Sequence, residues 1–381
     1  MPGTSRKRLI VIFLRGAVDG LSVVAPYTEQ EYYTSRPTIA LPRPGHTGGL
    51  FDLDGRFGLH PALASLQPLW KERSLAFVHA CGSPDESRSH FDAQAYMELG
   101  TPGQKLTADG WMNRLLGTFP GAHPPTEAVN FGNTVPRILE GSLPVASIAP
   151  KEDAESSPSD EGTLGEVFDR LYRGNDAMSA AYRQGRAAHT QLMADFGRDI
   201  KEAAAGAPSV RGFPLEAEKL CVLMKQDPTI KLAFFGLSGW DTHVSQGAGQ
   251  GQLANHLKSL GDGLALLRRQ LAGAYDETVV VVISEFGRTA RENGSGGTDH
   301  GHGNVMWVMG GPIAGGKVYG EWPGIDEESL HEGRDLAITT DFRAVIGDVL
   351  VGHMGLARDA VPRVFPAGPN EQATRLGLVR T

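Results

Sequence analysis

The chain contains 381 residues, of which 40% are hydrophobic and 21% are charged, a composition typical of globular proteins. Its formal net charge of -8 argues against nucleic acid as the main partner, because a phosphate backbone is bound by a basic surface. No apolar stretch approaches the roughly 18 to 20 residues needed to cross a membrane. The two cysteines, Cys81 and Cys221, lie in apolar runs, where buried and unreactive thiols are expected.

Apolar runs alternate with helical patterns along most of the chain, which predicts a mostly parallel sheet with helices on both faces. In chain order the predicted elements are a strand at Arg8–Leu14, a helix at His60–Arg73, a strand at Leu75–His79, helices at His90–Gly100 and Phe213–Gln226, a strand at Ile230–Leu237, a helix at Gly251–Ala274, strands at Thr278–Arg288 and Asn304–Gly311, and a closing helix at Asp341–Gly355. The first apolar run follows a basic amino terminus but stops at Arg15, which favours a buried strand over a signal peptide.

Residues 118–214 do not follow this alternation. They contain a polar loop and then a stretch from Leu164 to Ala205 with the pattern of one or two amphipathic helices. We therefore expect a single α/β domain over residues 1–381, with residues 118–214 forming a helical insertion or cap within it.

Acidic residues and histidines stand next to the predicted strands, mostly just after them. Because ligands bind outside the carboxyl ends of the strands in such sheets, we expect these side chains to meet at one edge. Carboxylate oxygen and imidazole nitrogen suit zinc, manganese or iron, and suit magnesium or calcium less well. Each short motif, taken alone, also fits a capping aspartate or a hydrogen-bonded loop histidine. The candidate metal ligands are Asp19, Asp241, His243, Glu285, Asp299, His300 and His302.

Ser89 stands at the predicted amino terminus of a helix, where backbone N–H groups and the helix dipole favour an anion. A metal ion nearby would help its hydroxyl to ionise and attack phosphorus or sulfur, although a plain helix cap is the structural alternative. Arginines suit the oxygens of such a group, with surface solvation as the competing interpretation. We assign catalysis to Ser89 and Arg288, and substrate binding to Arg15, Arg88, His90 and Arg291.

The chain resembles a bacterial family known as domain of unknown function 1501, which is related to sulfatases and the alkaline phosphatase superfamily. The segments that carry this resemblance are FLRGAVDGLSVVAPY, SHFDAQ, GWDTH, SEFGRTARENGSGGTDHGHG and VMGGPIAGGKVYG. The resemblance implies an alkaline phosphatase-like fold, with Asp19 as a metal ligand at the end of the first strand and Ser89 close to the nucleophile position. It also identifies His300 as the last metal histidine.

Two departures affect these expectations. Where sulfatases carry Asp-His-Gly, this chain has Glu285, Phe286 and Gly287, and it lacks the CxPSR-type motif that carries a formylglycine nucleophile. The number of metal ions therefore stays open at one or two (zinc, manganese, iron or calcium). In this interpretation Asp241, His243 and His300 hold one ion. Asp19, Glu285 and Asp299 hold a second ion or orient the ligands of the first.

These observations predict a metal-dependent hydrolase of phosphate or sulfate esters acting on a small anionic substrate, with Ser89 or a metal-activated water as the attacking group. Two alternatives stay open: a catalytically degenerate relative that binds an anionic ligand or a partner protein, and a phosphomutase or phosphotransferase that uses the same site. Members of the family are often exported by the twin-arginine route. This chain shows no such signal, so a periplasmic or a cytoplasmic location stays open, as does the oligomeric state.

Overall fold

A computed structural model describes residues 7–105, 107–149, 179–180, 201–366, 368–369 and 375–380. The chain divides into two compact units, one formed by Met1–Pro150 with Ala203–Thr381 and the other by Lys151–Glu202. In the second unit the structure describes residues 179–180 and 201–202, which are helical. About half of the predicted insertion at residues 118–214 lies outside the described residues, namely 150–178 and 181–200. The elements below all belong to the first unit.

The first unit is built on a central sheet of nine strands within the described residues. Its strands are β1 (Arg8–Arg15), β5 (Leu75–Gly82), β6 (Ala128–Phe131), β7 (Ala146–Ile148), β8 (Leu232–Ser238), β9 (Thr278–Ser284), β10 (Asn304–Gly310), β11 (Lys317–Tyr319) and β12 (Thr340–Asp341). They lie in the order β11-β5-β10-β9-β1-β8-β6-β7, with β12 beside β5. A small antiparallel sheet contains β2 (Val24–Ala25), β3 (Phe51–Asp52) and β4 (Gly58–Leu59).

The direction of the strands decides which loops can meet. The strand β1 pairs in parallel with both β8 and β9, whereas β10 runs antiparallel to its two neighbours, β9 and β5. The carboxyl ends of β1, β5, β8 and β9 therefore lie at one edge of the sheet, and the amino end of β10 lies at the same edge. The predicted mostly parallel central sheet is confirmed, with β10 as an antiparallel member.

The central strands are covered on both faces, which explains their continuous apolar sequences. In β1, Ile10, Ile12 and Leu14 pack into one core, while Leu9, Val11 and Phe13 pack into the other. The helices of the described residues are α1 (Gly20–Val23), α2 (Gln30–Ser35), α3 (Gln67–Lys71), α4 (His90–Leu99), α5 (Trp111–Leu116), α6 (Phe213–Gln226), α7 (Gln252–Leu271), α8 (Phe342–Val349) and α9 (Val361–Val364). The helices α6 and α7 supply the first core, and α5 and α8 supply the second.

The predicted helix at His60–Arg73 is interrupted. Pro61–Leu66 forms a 3-10 helix and α3 begins at Gln67, directly before Pro68. Proline has no N–H to continue a helical ladder and its ring clashes with the preceding turn, which explains the break. Among the described residues, no helix combines the length and the apolar character needed to cross a membrane.

Candidate metal centre

Four side chains from two loops and one helix converge at this edge of the sheet. His90 is the first residue of α4, Asp241 and His243 follow β8, and His300 precedes β10. Ligand atoms of His90, Asp241 and His300 all lie within 4.8 Å of one another. Nε2 of His300 lies 2.9 Å from Nε2 of His90 and 3.0 Å from Nε2 of His243. Asp241 Oδ1 lies 2.9 Å from Nε2 of His243, 3.4 Å from Nε2 of His300 and 3.8 Å from Nε2 of His90.

The other ring nitrogen, Nδ1, of each of these histidines contacts an oxygen that can only accept a hydrogen bond. The contacts are His90 to Glu285 Oε1 at 2.7 Å, His243 to Asp299 Oδ1 at 3.2 Å, and His300 to the carbonyl oxygen of Arg88 at 3.0 Å. Each Nδ1 therefore carries a hydrogen, and each ring has a lone pair on Nε2 whenever it is neutral. Metal-binding histidines in proteins are usually held in this way.

The carboxylate of Asp241 is buried and only partly satisfied. Its Oδ1 accepts a hydrogen bond from Nη1 of Arg288 at 2.7 Å, while its Oδ2 is buried without a hydrogen-bond partner. Burial alone would raise the pKa of Asp241, but the three adjacent histidines and the Arg288 charge hold that pKa below its usual range. An ionised carboxylate with an unpartnered buried oxygen is suited to a cation.

The carboxylates of Asp241 and Glu285 favour a positive charge on the neighbouring His90. Burial lowers the pKa of His90, but the carboxylates of Asp241 and Glu285 outweigh this effect and raise the pKa to about 9. A bound proton therefore stabilises the cluster at neutral pH. A divalent metal ion would displace that proton and accept all three Nε2 lone pairs.

The spacing of the donor atoms also fits a metal ion. Ligands at about 2.0–2.2 Å from a tetrahedral zinc ion lie about 3.3–3.6 Å from one another. The separations of 2.9–3.8 Å between the Nε2 atoms and Asp241 Oδ1 bracket this range. His90, Asp241 and His300 therefore form a possible metal site, and Nε2 of His243 lies next to two of them.

Close backbone contact brings the loop after β9 against the loop before β10. Gly287 donates its N–H to the carbonyl of His302 at 2.8 Å and accepts from the N–H of Gly301 at 2.8 Å. A Cβ at Gly287 would lie 1.8 Å from the carbonyl oxygen of Gly303, so only glycine fits there. Asn304 fixes the same edge by donating from Nδ2 to the carbonyls of Val18 at 3.1 Å and Phe286 at 2.6 Å.

The other predicted metal ligands lie around this cluster. Glu285 and Asp299 hold the outer nitrogens of His90 and His243. Asp19 is fully buried in an ion pair with Arg36, at 2.6 Å and 3.0 Å. His302 stacks on the ring of His331, with centroids 4.5 Å apart.

The predicted catalytic and substrate-binding residues occupy different places. Ser89 is exposed, and its hydroxyl makes no capping hydrogen bond to α4. Arg288 is buried and donates to Asp241 and Thr298. Arg15 is buried against Gln94 and Glu98. Arg88 pairs with Glu332 and Asp335 at 2.6 Å and 2.7 Å.

Arg291 is exposed and lines a polar cavity of about 440 Å³ beside the centre. Asp299, which contacts His243, also lines this cavity, as does Arg334, which donates to the carbonyl of His300 at 2.8 Å. The cavity therefore borders two of the residues that hold the cluster.

Sequence reasoning misses several residues of the centre. From the sequence His90 is expected to bind substrate, and in the structure a ring nitrogen of His90 also lies within 4.8 Å of ligand atoms of Asp241 and His300. Gln94 donates to Glu285 at 2.9 Å and accepts from Arg15. His90, Gln94 and Glu98 recur every four residues on α4, and this buried polar stripe is a signal that could identify them.

Solved structures that resemble the chain share little sequence identity with it. An alkaline phosphatase superfamily protein from Vibrio parahaemolyticus matches at 13% identity and a TM-score of 0.42, covering 83% of this chain and 63% of that protein. The PsFucS1 sulfatase from a Pseudoalteromonas species matches at 12% identity and a TM-score of 0.46, covering 98% of this chain and 73% of that protein. The C-terminal periplasmic domain of EcEptC from Escherichia coli matches at 12% identity and a TM-score of 0.43, covering 97% of this chain and 88% of that domain.

No curated protein matches the chain. A family model described as protein of unknown function, DUF1501, matches residues 6–365. That range contains every residue of the candidate metal centre, and the chain belongs to this family.

Proposed function

We propose that this protein is a metal-dependent hydrolase of phosphate or sulfate esters, with the metal held by His90, Asp241, His243 and His300. The observation that carries the proposal is the convergence of three Nε2 atoms on Oδ1 of Asp241, with each Nδ1 held by an oxygen acceptor. Three imidazoles and one carboxylate favour zinc, manganese or iron over calcium, which prefers an all-oxygen site. When bound, such an ion withdraws electrons from an ester oxygen and stabilises the charge of the leaving alcohol.

Ser89 is the proposed nucleophile. It directly precedes His90, and its exposed hydroxyl is not used to cap α4. In this proposal the hydroxyl loses its proton to solvent and its oxygen attacks phosphorus or sulfur, the ester bond breaks, and the alcohol leaves with a proton from solvent. Water then releases phosphate or sulfate from the serine.

The arginines take different roles in this proposal. The donors of Arg288 face Asp241 and Thr298, so it positions the carboxylate and does not bind the ester. Arg291 is exposed in the neighbouring cavity and is the proposed contact for negative charge on the substrate.

Elemental analysis of the purified protein, without chelating tags, tests the metal centre. We expect bound transition metal in the wild type, loss of that metal in His300→Ala, and retention in His46→Ala, a control at an exposed histidine. The wild type should then cleave p-nitrophenyl phosphate or sulfate with that metal, and Ser89→Ala should reduce the rate at least about 100-fold. Full activity of both Ser89→Ala and Asp241→Ala on every ester that the wild type cleaves would exclude the proposal.

A further inference from the structure

Four hydrogen bonds, two of them from one guanidinium, already satisfy the carboxylate of Asp19. Its Oδ2 accepts from Nη1 of Arg36 at 2.6 Å, from the Ser22 hydroxyl at 2.7 Å and from Nε2 of Gln246 at 2.7 Å. Its Oδ1 accepts from Nη2 of Arg36 at 3.0 Å. Oδ2 is therefore fully used, and the one lone pair left on Oδ1 lies beside Nη2 of Arg36.

Every N–H group of the Arg36 guanidinium has a hydrogen-bond acceptor. Arg36 is fully buried, and its five N–H groups meet five acceptors. The acceptors are the two Asp19 oxygens at 2.6 Å and 3.0 Å, the Ser22 hydroxyl at 3.1 Å, and the carbonyls of Thr289 and Ala290 at 2.8 Å each. A divalent ion on Asp19 would have to displace this guanidinium and leave it buried without a partner, or lie next to it against charge repulsion.

A chain of buried hydrogen bonds joins this pair to the centre. Oε1 of Gln246, whose Nε2 holds Asp19, accepts from the hydroxyl of Thr298 at 3.0 Å. The same hydroxyl accepts from Nε of Arg288 at 3.1 Å, and Nη1 of Arg288 donates to Asp241 at 2.7 Å. Donors and acceptors alternate along this path, so the pair fixes the orientation of Arg288 and, through it, of Asp241.

We infer that the centre binds one metal ion, and that the buried guanidinium of Arg36 takes the place of a second cation beside Asp19. This inference rests on the proposed metal centre but not on the proposed hydrolysis. It makes Asp19 and Arg36 positioning residues. The fixed charge of Arg36 cannot be removed by a chelator, unlike that of a bound ion.

Titration of the metal-free wild-type protein with Co²⁺ tests the inference without a variant. The visible absorption of bound cobalt should rise linearly to one equivalent and then stop. A second equivalent bound with comparable affinity overturns the inference, as does the absence of binding. Lack of ester hydrolysis by protein that holds one equivalent would count against the proposed function and leave this inference intact.

The double variant Asp19→Leu/Arg36→Met provides the second measurement. It removes both charges together, since a lone buried charge costs more than the loss of the pair. We expect it to keep one equivalent of Co²⁺, whereas His300→Ala should lose it. If the wild type binds two equivalents and the double variant one, Asp19 is a metal ligand and the inference is wrong. If the double variant does not fold, the wild-type titration decides.

Discussion

Nδ1 of His90 lies 2.7 Å from Oε1 of Glu285, and both side chains are buried. The same Oε1 also accepts from the N–H of Gly16 at 2.8 Å and from Nε2 of Gln94 at 2.9 Å. Glu285 therefore sets the rotation of the His90 ring, joins the ends of β1 and β9 to α4, and increases the basicity of Nε2.

Replacement of Glu285 by glutamine should weaken metal binding about 10- to 100-fold, because the neutral amide is a poorer partner for Nδ1–H. The change is nearly isosteric, so the fold should be retained. Competition with a chelator of known affinity measures the effect. Glu328→Gln, at an exposed glutamate, is the control and should bind metal like the wild type. Equal affinity of Glu285→Gln and the wild type would show that His90 does not bind the metal.

Gly287→Ala should destabilise the protein by about 2–3 kcal/mol and reduce metal occupancy. The added Cβ would lie 1.8 Å from the Gly303 carbonyl oxygen, so the two loops would have to separate. Gly294→Ala is the matched control in the same loop, since a Cβ there meets nothing within 4 Å. Urea unfolding monitored by circular dichroism gives the free energy of unfolding of both variants, and elemental analysis gives their metal occupancy. Equal stability of the two variants would contradict the close contact.

Stability should fall in acid because two histidines are buried in the neutral form. Nδ1 of His60 accepts from the N–H of Ala62 at 3.0 Å, and Nδ1 of His79 accepts from that of Ala80 at 3.0 Å, so neither nitrogen can take a proton without losing a bond. Burial lowers the pKa of each to about 4. Since the unfolded value is about 6.5, the unfolded chain binds more protons between pH 6.5 and 4.

Each of the two histidines should therefore contribute about 3 kcal/mol of destabilisation between pH 6.5 and 4. The double variant His60→Gln/His79→Gln should lose less stability over this interval than the wild type, whatever its stability at neutral pH. His46→Gln, at an exposed position, should keep the wild-type slope. The free energies of unfolding of the three proteins, measured at several pH values, give these slopes. An unchanged dependence of the free energy on pH in the double variant would show that other groups cause the acid sensitivity.

Asn304→Asp should lower the free energy of unfolding by about 3 kcal/mol and weaken metal binding. The Nδ2 group of Asn304 donates to the carbonyls of Val18 and Phe286, and a carboxylate would place negative charge against both. Asn255→Asp, at an exposed position of α7, serves as the control. A folded Asn304→Asp protein with normal metal affinity would show that this link does not hold the edge of the sheet.

Much of the architecture follows from local sequence. The apolar runs that form β1, β5, β8, β9 and β10 are covered on both faces, and the ends of β8 and β9 are enough to predict that Asp241, His243 and Glu285 lie at one edge. His300 precedes β10 and reaches this edge only because β10 is antiparallel. The antiparallel direction of β10 cannot be predicted from its apolar sequence, because an apolar run has no direction.

The partners of the polar groups depend on packing between distant segments and are not visible in the sequence. Arg36 lies in a loop outside every recognised motif, yet its guanidinium takes up the carboxylate of Asp19. Gln246 likewise joins Asp19 to Thr298 across more than 200 residues of sequence. Such buried contacts decide which acidic residues remain available to a metal, so the number of ions cannot be predicted from the sequence alone.

The two nitrogens that meet at 2.9 Å, from His90 and His300, lie 210 residues apart along the chain. They can meet only after β5 and β10 have paired with the rest of the sheet, so long loops must close before the donor set exists. A metal ion therefore cannot nucleate folding here as it does in small zinc domains. It binds the assembled protein and raises its melting temperature as the free metal concentration exceeds the Kd, so metal retention reports that the whole sheet has formed.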